Sequence, residues 1–74
     1  MEKMINQVLT EYKKASSKYP SFHSTHEGYA VIKEEVDELW DLVKANKGIN
    51  GNAEFKKECL QIAAMAIRFI NDLC

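Results

Sequence analysis

Apolar residues recur along this chain at intervals of three and four, and nowhere do they alternate as they would in a half-buried strand. Met4, Ile5, Val8, Tyr12, Ala15 and Tyr19 share one face and predict a first helix over about residues 3–18. Tyr19-Pro20 ends it, because the proline ring disfavours helical geometry in the residue before it. Ser24 followed by Glu27 has the spacing of a capping box, which starts a second helix near Thr25 and carries it to about Ala45. Its expected buried stripe is Tyr29, Ile32, Val36, Leu39, Trp40 and Val43. A turn-rich stretch follows over 46–52, with Asn52 suited to cap a third helix. That helix carries a wide apolar face of Phe55, Cys59, Ile62, Ala63, Ala66, Phe69, Ile70 and Leu73. Small residues at 63, 64 and 66 permit close helix approach. The short connection makes helices two and three an antiparallel hairpin. The expected fold class is all-α: a helical hairpin plus an amino-terminal helix, one domain over residues 1–74.

Length changes that picture. A chain of 74 residues buries little more than roughly 60% of the surface its unfolded form exposes, so a lone monomer is marginal. With 46% hydrophobic residues there is more apolar surface than three short helices can bury among themselves. A homo-oligomer is expected, a dimer or tetramer in which paired chains form four-helix bundles.

Charge and cysteine usage narrow the partners. The net charge of −1 gives no basic excess to neutralise a phosphate backbone, so no nucleic acid is expected as a partner. The longest apolar run, Leu60 to Ile70, is broken by Gln61 and Arg68 and is too short to span a bilayer, so no membrane partner is expected either. Cys59 and Cys74 form no CxxC pair, and the amino terminus lacks the apolar stretch of a secretory signal. A cytoplasmic location with reduced thiols follows as the expectation, Cys59 serving as a small core residue.

The chemistry sits in an acidic cluster, Glu34-Glu35-Val36-Asp37-Glu38, set beside the apolar stripe of helix two. At helical pitch Glu35 and Glu38 are about 60° apart and Glu34 and Glu38 about 40°. On helix three Glu58 falls inside the edge of the apolar arc, and Glu54, Gln61 and Asp72 follow along the same edge. In an antiparallel hairpin the two acidic edges can face each other across one groove. Like charges meeting there repel, unless a cation is bound or some groups are protonated. Hard oxygen donors without histidine or thiolate partners suit Mg²⁺, or Mn²⁺, rather than zinc. The plainer reading is a solvated acidic helix face, and it weighs most at Glu34 and least at Glu58, which interrupts an apolar surface.

This arrangement resembles the all-α nucleotide pyrophosphohydrolases of the MazG-like family. Their signature is Glu-Glu-x-x-Glu on one helix, a loop, then Glu-x-x-Asp on the next. Glu34-Glu35-Val36-Asp37-Glu38 matches the first half, and Glu58 takes the first place of the second after 19 intervening residues. The flanks His26-Glu27-Gly28-Tyr29-Ala30-Val31-Ile32 and Gln61-Ile62-Ala63-Ala64-Met65-Ala66-Ile67-Arg68-Phe69 also resemble short members, so the likeness covers residues 23–73. It implies Mg²⁺ ligation by Glu35, Glu38 and Glu58, with Glu34 a further ligand or a base that orients water. It implies hydrolysis of a noncanonical or deoxynucleoside triphosphate to the monophosphate and pyrophosphate, with Glu34 and Glu38 as the catalytic pair. The chain departs from the signature at Gln61, where the family has Asp. Gln61 or Glu54 could supply a fourth ligand. Asp72 lies about 16 Å further along the axis than Gln61 and cannot reach the same ion within one chain.

The remaining candidates weigh less. His23 and His26 flank the start of helix two, where a helix amino terminus favours an anion, and His26 is a weak candidate for substrate contact. Capping or packing is the plainer role of both. Trp40 falls within the stripe, as a core or dimer residue rather than a base-stacking one. Gly48-Ile49-Asn50-Gly51 is a turn, since no strand precedes it and the Lys-Ser/Thr pair of a phosphate loop is missing. Arg68 is expected on the polar edge of helix three, paired with Asp72. The alternative to an enzyme is a non-catalytic helical interaction module, or a nucleotide-binding protein with a degenerate metal site. Gln61 favours that alternative, and the complete Glu-Glu-x-x-Glu favours hydrolysis.

Overall fold

The computed structural model describes residues 1–45 and 52–74 and contains three helices: α1 (Glu2–Lys18), α2 (Thr25–Lys44) and α3 (Asn52–Leu73). Among the described residues there is no strand. Of the turn expected over 46–52, residues 46–51 lie outside them. α1 ends as expected, with Tyr19 extended at φ −124°, ψ 147° before Pro20. α2 is capped by Ser24, whose Oγ accepts from the Glu27 amide at 3.1 Å. Glu27 closes a variant of the capping box: its Oε1 accepts from the amide of His23 at 2.7 Å rather than from that of Ser24.

α3 is the central element, and both α1 and α2 pack on it. α2 runs antiparallel to α3, since Gly28 near its start meets Phe69 and Leu73 near the end of α3. α1 runs the same way as α3: Glu11 lies against Gln61, and Pro20, just beyond α1, against Arg68. The core is small. Phe22, Ala64 and Met65 are buried, with Tyr12, Ala15, Val31, Ile32, Phe69 and Leu73 packed around them. Gly28 is required by the crossing of α2 and α3. A Cβ there would stand 2.5 Å from Phe69 Cδ2 and 3.2 Å from Leu73 Cδ1.

Three sequence expectations change. Of the stripe on α2, only Ile32 and Leu39 are partly covered, while Tyr29, Val36, Trp40 and Val43 are exposed, at 63% and 56% for Tyr29 and Trp40. The reason is geometric: α2 touches one neighbour along one line, and its apolar face is wider than that line. Cys59 is exposed rather than a core residue. Arg68 is buried at 3% exposure instead of standing on a polar edge, because the segment between α1 and α2 folds over it. Its pairing with Asp72 is present, at 4.0 Å.

That segment is held by the two side chains together. Arg68 Nη2 donates to the carbonyl of Pro20 at 2.7 Å, and its guanidinium carbon lies 4.5 Å from the centre of the Phe22 ring. Asp72 Oδ2 accepts from the Phe22 amide at 3.0 Å. A buried charge is costly unless paired and hydrogen-bonded, and here each member of the pair also satisfies a backbone group.

Candidate metal centre

α2 and α3 each carry their carboxylates to the same groove. One turn of α2 puts Glu35 and Glu38 on one edge, and the antiparallel course of α3 brings Glu58 opposite them. One oxygen from each of Glu35, Glu38 and Glu58 lies within 4.8 Å of the others. Glu35 and Glu58 are half-buried, and Glu38 is exposed.

The electrostatics follow from that crowding. The Glu35 carboxyl is pushed up to about 7, first because burial strips water from its charged form. A hydrogen bond shared with Glu58 adds to this, as do the negative charges of Glu38, Glu58 and Glu34. Glu38 is raised for the same leading reasons, loss of solvent and its hydrogen bond and repulsion with Glu58. On the third carboxylate, Glu58 Oε2 is buried and has no hydrogen-bond partner among the described residues. A buried acceptor without a donor is costly.

Comparison with protein-family models, characterised proteins and solved structures finds no match to this chain. The site therefore has to be read from its own donor set. Three carboxylates converging on one point, one with an unsatisfied buried oxygen, fit a hard divalent cation, which takes oxygen ligands. Zinc sites, by contrast, draw on histidine and thiolate, and neither kind of side chain joins this cluster.

The other expected site residues divide. Glu34 is exposed and borders, with Glu35, a cavity of about 450 Å³ between the three helices. Gln61 turns to α1, where its Nε2 donates to Glu11 Oε2 at 2.8 Å. Glu54, one turn before Glu58, is exposed and is not one of the three converging groups. His26 lines a different, apolar groove with Tyr29, Phe69 and Ile70, which none of the three carboxylates borders. Lys33 is committed to Asp37 at 2.9 Å. Sequence reasoning missed two residues that shape the site region, Glu11 and Phe22. Glu11 interrupts no apolar run, so no periodicity singles it out. Phe22 lies in a connecting segment, where periodicity has nothing to say.

Proposed function

We propose that this chain is a Mg²⁺-dependent nucleoside triphosphate pyrophosphohydrolase, releasing nucleoside monophosphate and pyrophosphate from noncanonical or deoxynucleoside triphosphates. The observation that carries the reading is the convergence of Glu35, Glu38 and Glu58 across the α2–α3 groove. Those three residues would hold Mg²⁺ or Mn²⁺. When bound, the ion supplies the positive charge that lets a triphosphate approach three carboxylates, and it makes a water more acidic. Glu34, next to Glu35 on the solvent side of α2, accepts the proton of the attacking water. The water oxygen bonds to the α-phosphorus as the α–β bridging bond breaks, and pyrophosphate leaves with the bonding pair. Glu38 is the most accessible of the three converging groups and would act with Glu34 as the catalytic pair.

Among the described residues no helix is long and apolar enough to cross a membrane. The exposed Tyr29, Trp40, Val43 and Ile70 support a homo-oligomer, dimeric or tetrameric, in which α2 and α3 of paired chains complete four-helix bundles. A cytoplasmic location agrees with nucleotide hydrolysis and free thiols.

One observation favours a second reading, a non-catalytic module with a degenerate site: the residue at the signature's acidic position, Gln61, is engaged by Glu11. A single assay separates the two. Purified protein is incubated with a panel of nucleoside triphosphates and Mg²⁺ or Mn²⁺, and pyrophosphate is measured. Release that is lost in Glu38→Gln supports the enzyme. Release no greater than that of Glu38→Gln assigns the module.

A further inference from the structure

The cavity bordered by Glu34 and Glu35 has no role in the chemistry above. It has a volume of about 450 Å³, within the range of small-molecule sites, and Phe22, Val31 and Met65 supply apolar wall. Glu35 belongs both to this cavity and to the three converging carboxylates, so a ligand held at the carboxylates has this space as its neighbour. Arg68 also lines it, with a side chain only 4% exposed. The two terminal nitrogens of Arg68 have partners in Met65 Sδ and the Pro20 carbonyl, and its Nε–H is buried without an acceptor among the described residues.

The charge of the lining decides which part of a nucleotide fits. Among the described residues that line it, Glu27, Glu34 and Glu35 stand against the cation of Arg68, which is already paired with Asp72. A phosphate would be repelled there, whereas a neutral group with an apolar face and hydrogen-bond acceptors would not. A nucleobase has both, and Phe22, Val31 and Met65 offer the apolar wall that its face would meet.

We propose that this cavity receives the nucleoside of the substrate, with Phe22, Val31, Met65 and Arg68 forming the base subsite beside the carboxylates. The proposal rests on the reading of the carboxylates as the phosphate-binding centre. Its test separates the two. In the presence of Mg²⁺, binding of α,β-methylene deoxynucleoside triphosphates is compared by calorimetry with that of inorganic tripolyphosphate, for the native chain and for Ala15→Leu, which fills the cavity from α1. In parallel, methyl resonances of the native chain are followed by NMR as the free deoxynucleosides are added. The expected result is at least one nucleotide binding tenfold tighter than tripolyphosphate, a gain that Ala15→Leu removes while tripolyphosphate binding persists. Deoxynucleoside should shift the methyls of Val31 and Met65 and leave Ile70 unmoved.

Nucleotides binding no better than tripolyphosphate, or shifts at Ile70 in place of Val31 and Met65, would overturn the subsite and leave the metal centre standing. Absence of tripolyphosphate binding, with shifts at Val31 and Met65 retained, would overturn the metal centre and keep the nucleoside pocket. No binding of any probe overturns both. Should Ala15→Leu fail to fold, the NMR measurement on the native chain decides alone.

Discussion

Gln61 Nε2 lies 2.8 Å from Glu11 Oε2, a hydrogen bond between α3 and α1 across fifty residues of chain. It gives Gln61 a structural partner on α1. A part-buried hydrogen bond to a charged group contributes about 1.5–3 kcal/mol. Glu11→Ala should therefore lower the unfolding midpoint by several degrees while leaving Mg²⁺ affinity within twofold of the native value. Thermal unfolding and a Mg²⁺ titration measure the two effects. A large loss of Mg²⁺ affinity would instead place Gln61 in the metal centre.

The raised carboxyl of Glu35 makes stability depend on pH in a definite direction. Its pKa is about 7 when folded, against an ordinary glutamate value of 4.5. Between those values the folded chain binds more protons than the unfolded one, so in the absence of divalent metal stability falls as pH rises from about 4.5 to 7. Solvent screening at this half-exposed group limits the effect to about 1 kcal/mol. Without Mg²⁺ the unfolding midpoint should drop by several degrees from pH 5 to pH 8, and Glu35→Gln should flatten that slope. Saturating Mg²⁺ should reverse it, since cation binding favours the ionised carboxylates. A Mg²⁺-insensitive midpoint at pH 8 would remove the metal centre.

Gly28 sets how closely α2 can approach α3. In Gly28→Ala the new Cβ would press on the Phe69 ring from 2.5 Å, so the ring or the helix must move. The gain in helix propensity is about 1 kcal/mol, and overpacking a crossing of this kind costs about 1–3 kcal/mol. Net destabilisation is expected, with weaker Mg²⁺ binding because Glu58 moves relative to Glu35 and Glu38. Thermal unfolding and calorimetry check the pair of effects. An alanine variant more stable than the native chain would show that Phe69 yields freely.

The exposed aromatic and aliphatic residues of α2 and α3 carry the expectation of self-association. Trp40 and Ile70 are 56% and 64% exposed, though apolar periodicity marks both as inward-facing. The double variant Trp40→Asp, Ile70→Asp should be monomeric by light scattering where the native chain is dimeric or tetrameric. Helix content by circular dichroism should stay near native at low temperature, with a lower unfolding midpoint. A native chain that is already monomeric at high micromolar concentration would count against the four-helix bundle.

Much of the fold was legible in the sequence because its signals are local. Helical spacing, the Tyr19-Pro20 stop and the Ser24–Glu27 cap each act within one or two turns, so no distant partner is needed to read them. The convergence of the three carboxylates was legible for a related reason. Glu35 and Glu38 share a helix edge by arithmetic, and an antiparallel hairpin leaves few places for Glu58 except opposite them.

Residues whose roles depend on a third element were not legible. Periodicity gives the angle of Arg68 on its own helix, but the turn carrying Pro20 and Phe22 decides that this angle is buried. It likewise places Gln61 on the acidic edge and cannot say that Glu11 waits there. Tyr29, Val36, Trp40 and Val43 show the same limit: periodicity puts them on one face of α2, and the packing on α3 leaves that face exposed. The sequence by itself determined the three helices and which carboxylates share an edge on α2 and on α3. Only the tertiary structure decided which of those side chains face one another, because contact across helices depends on how α1 and α2 seat on α3, and no local pattern encodes that.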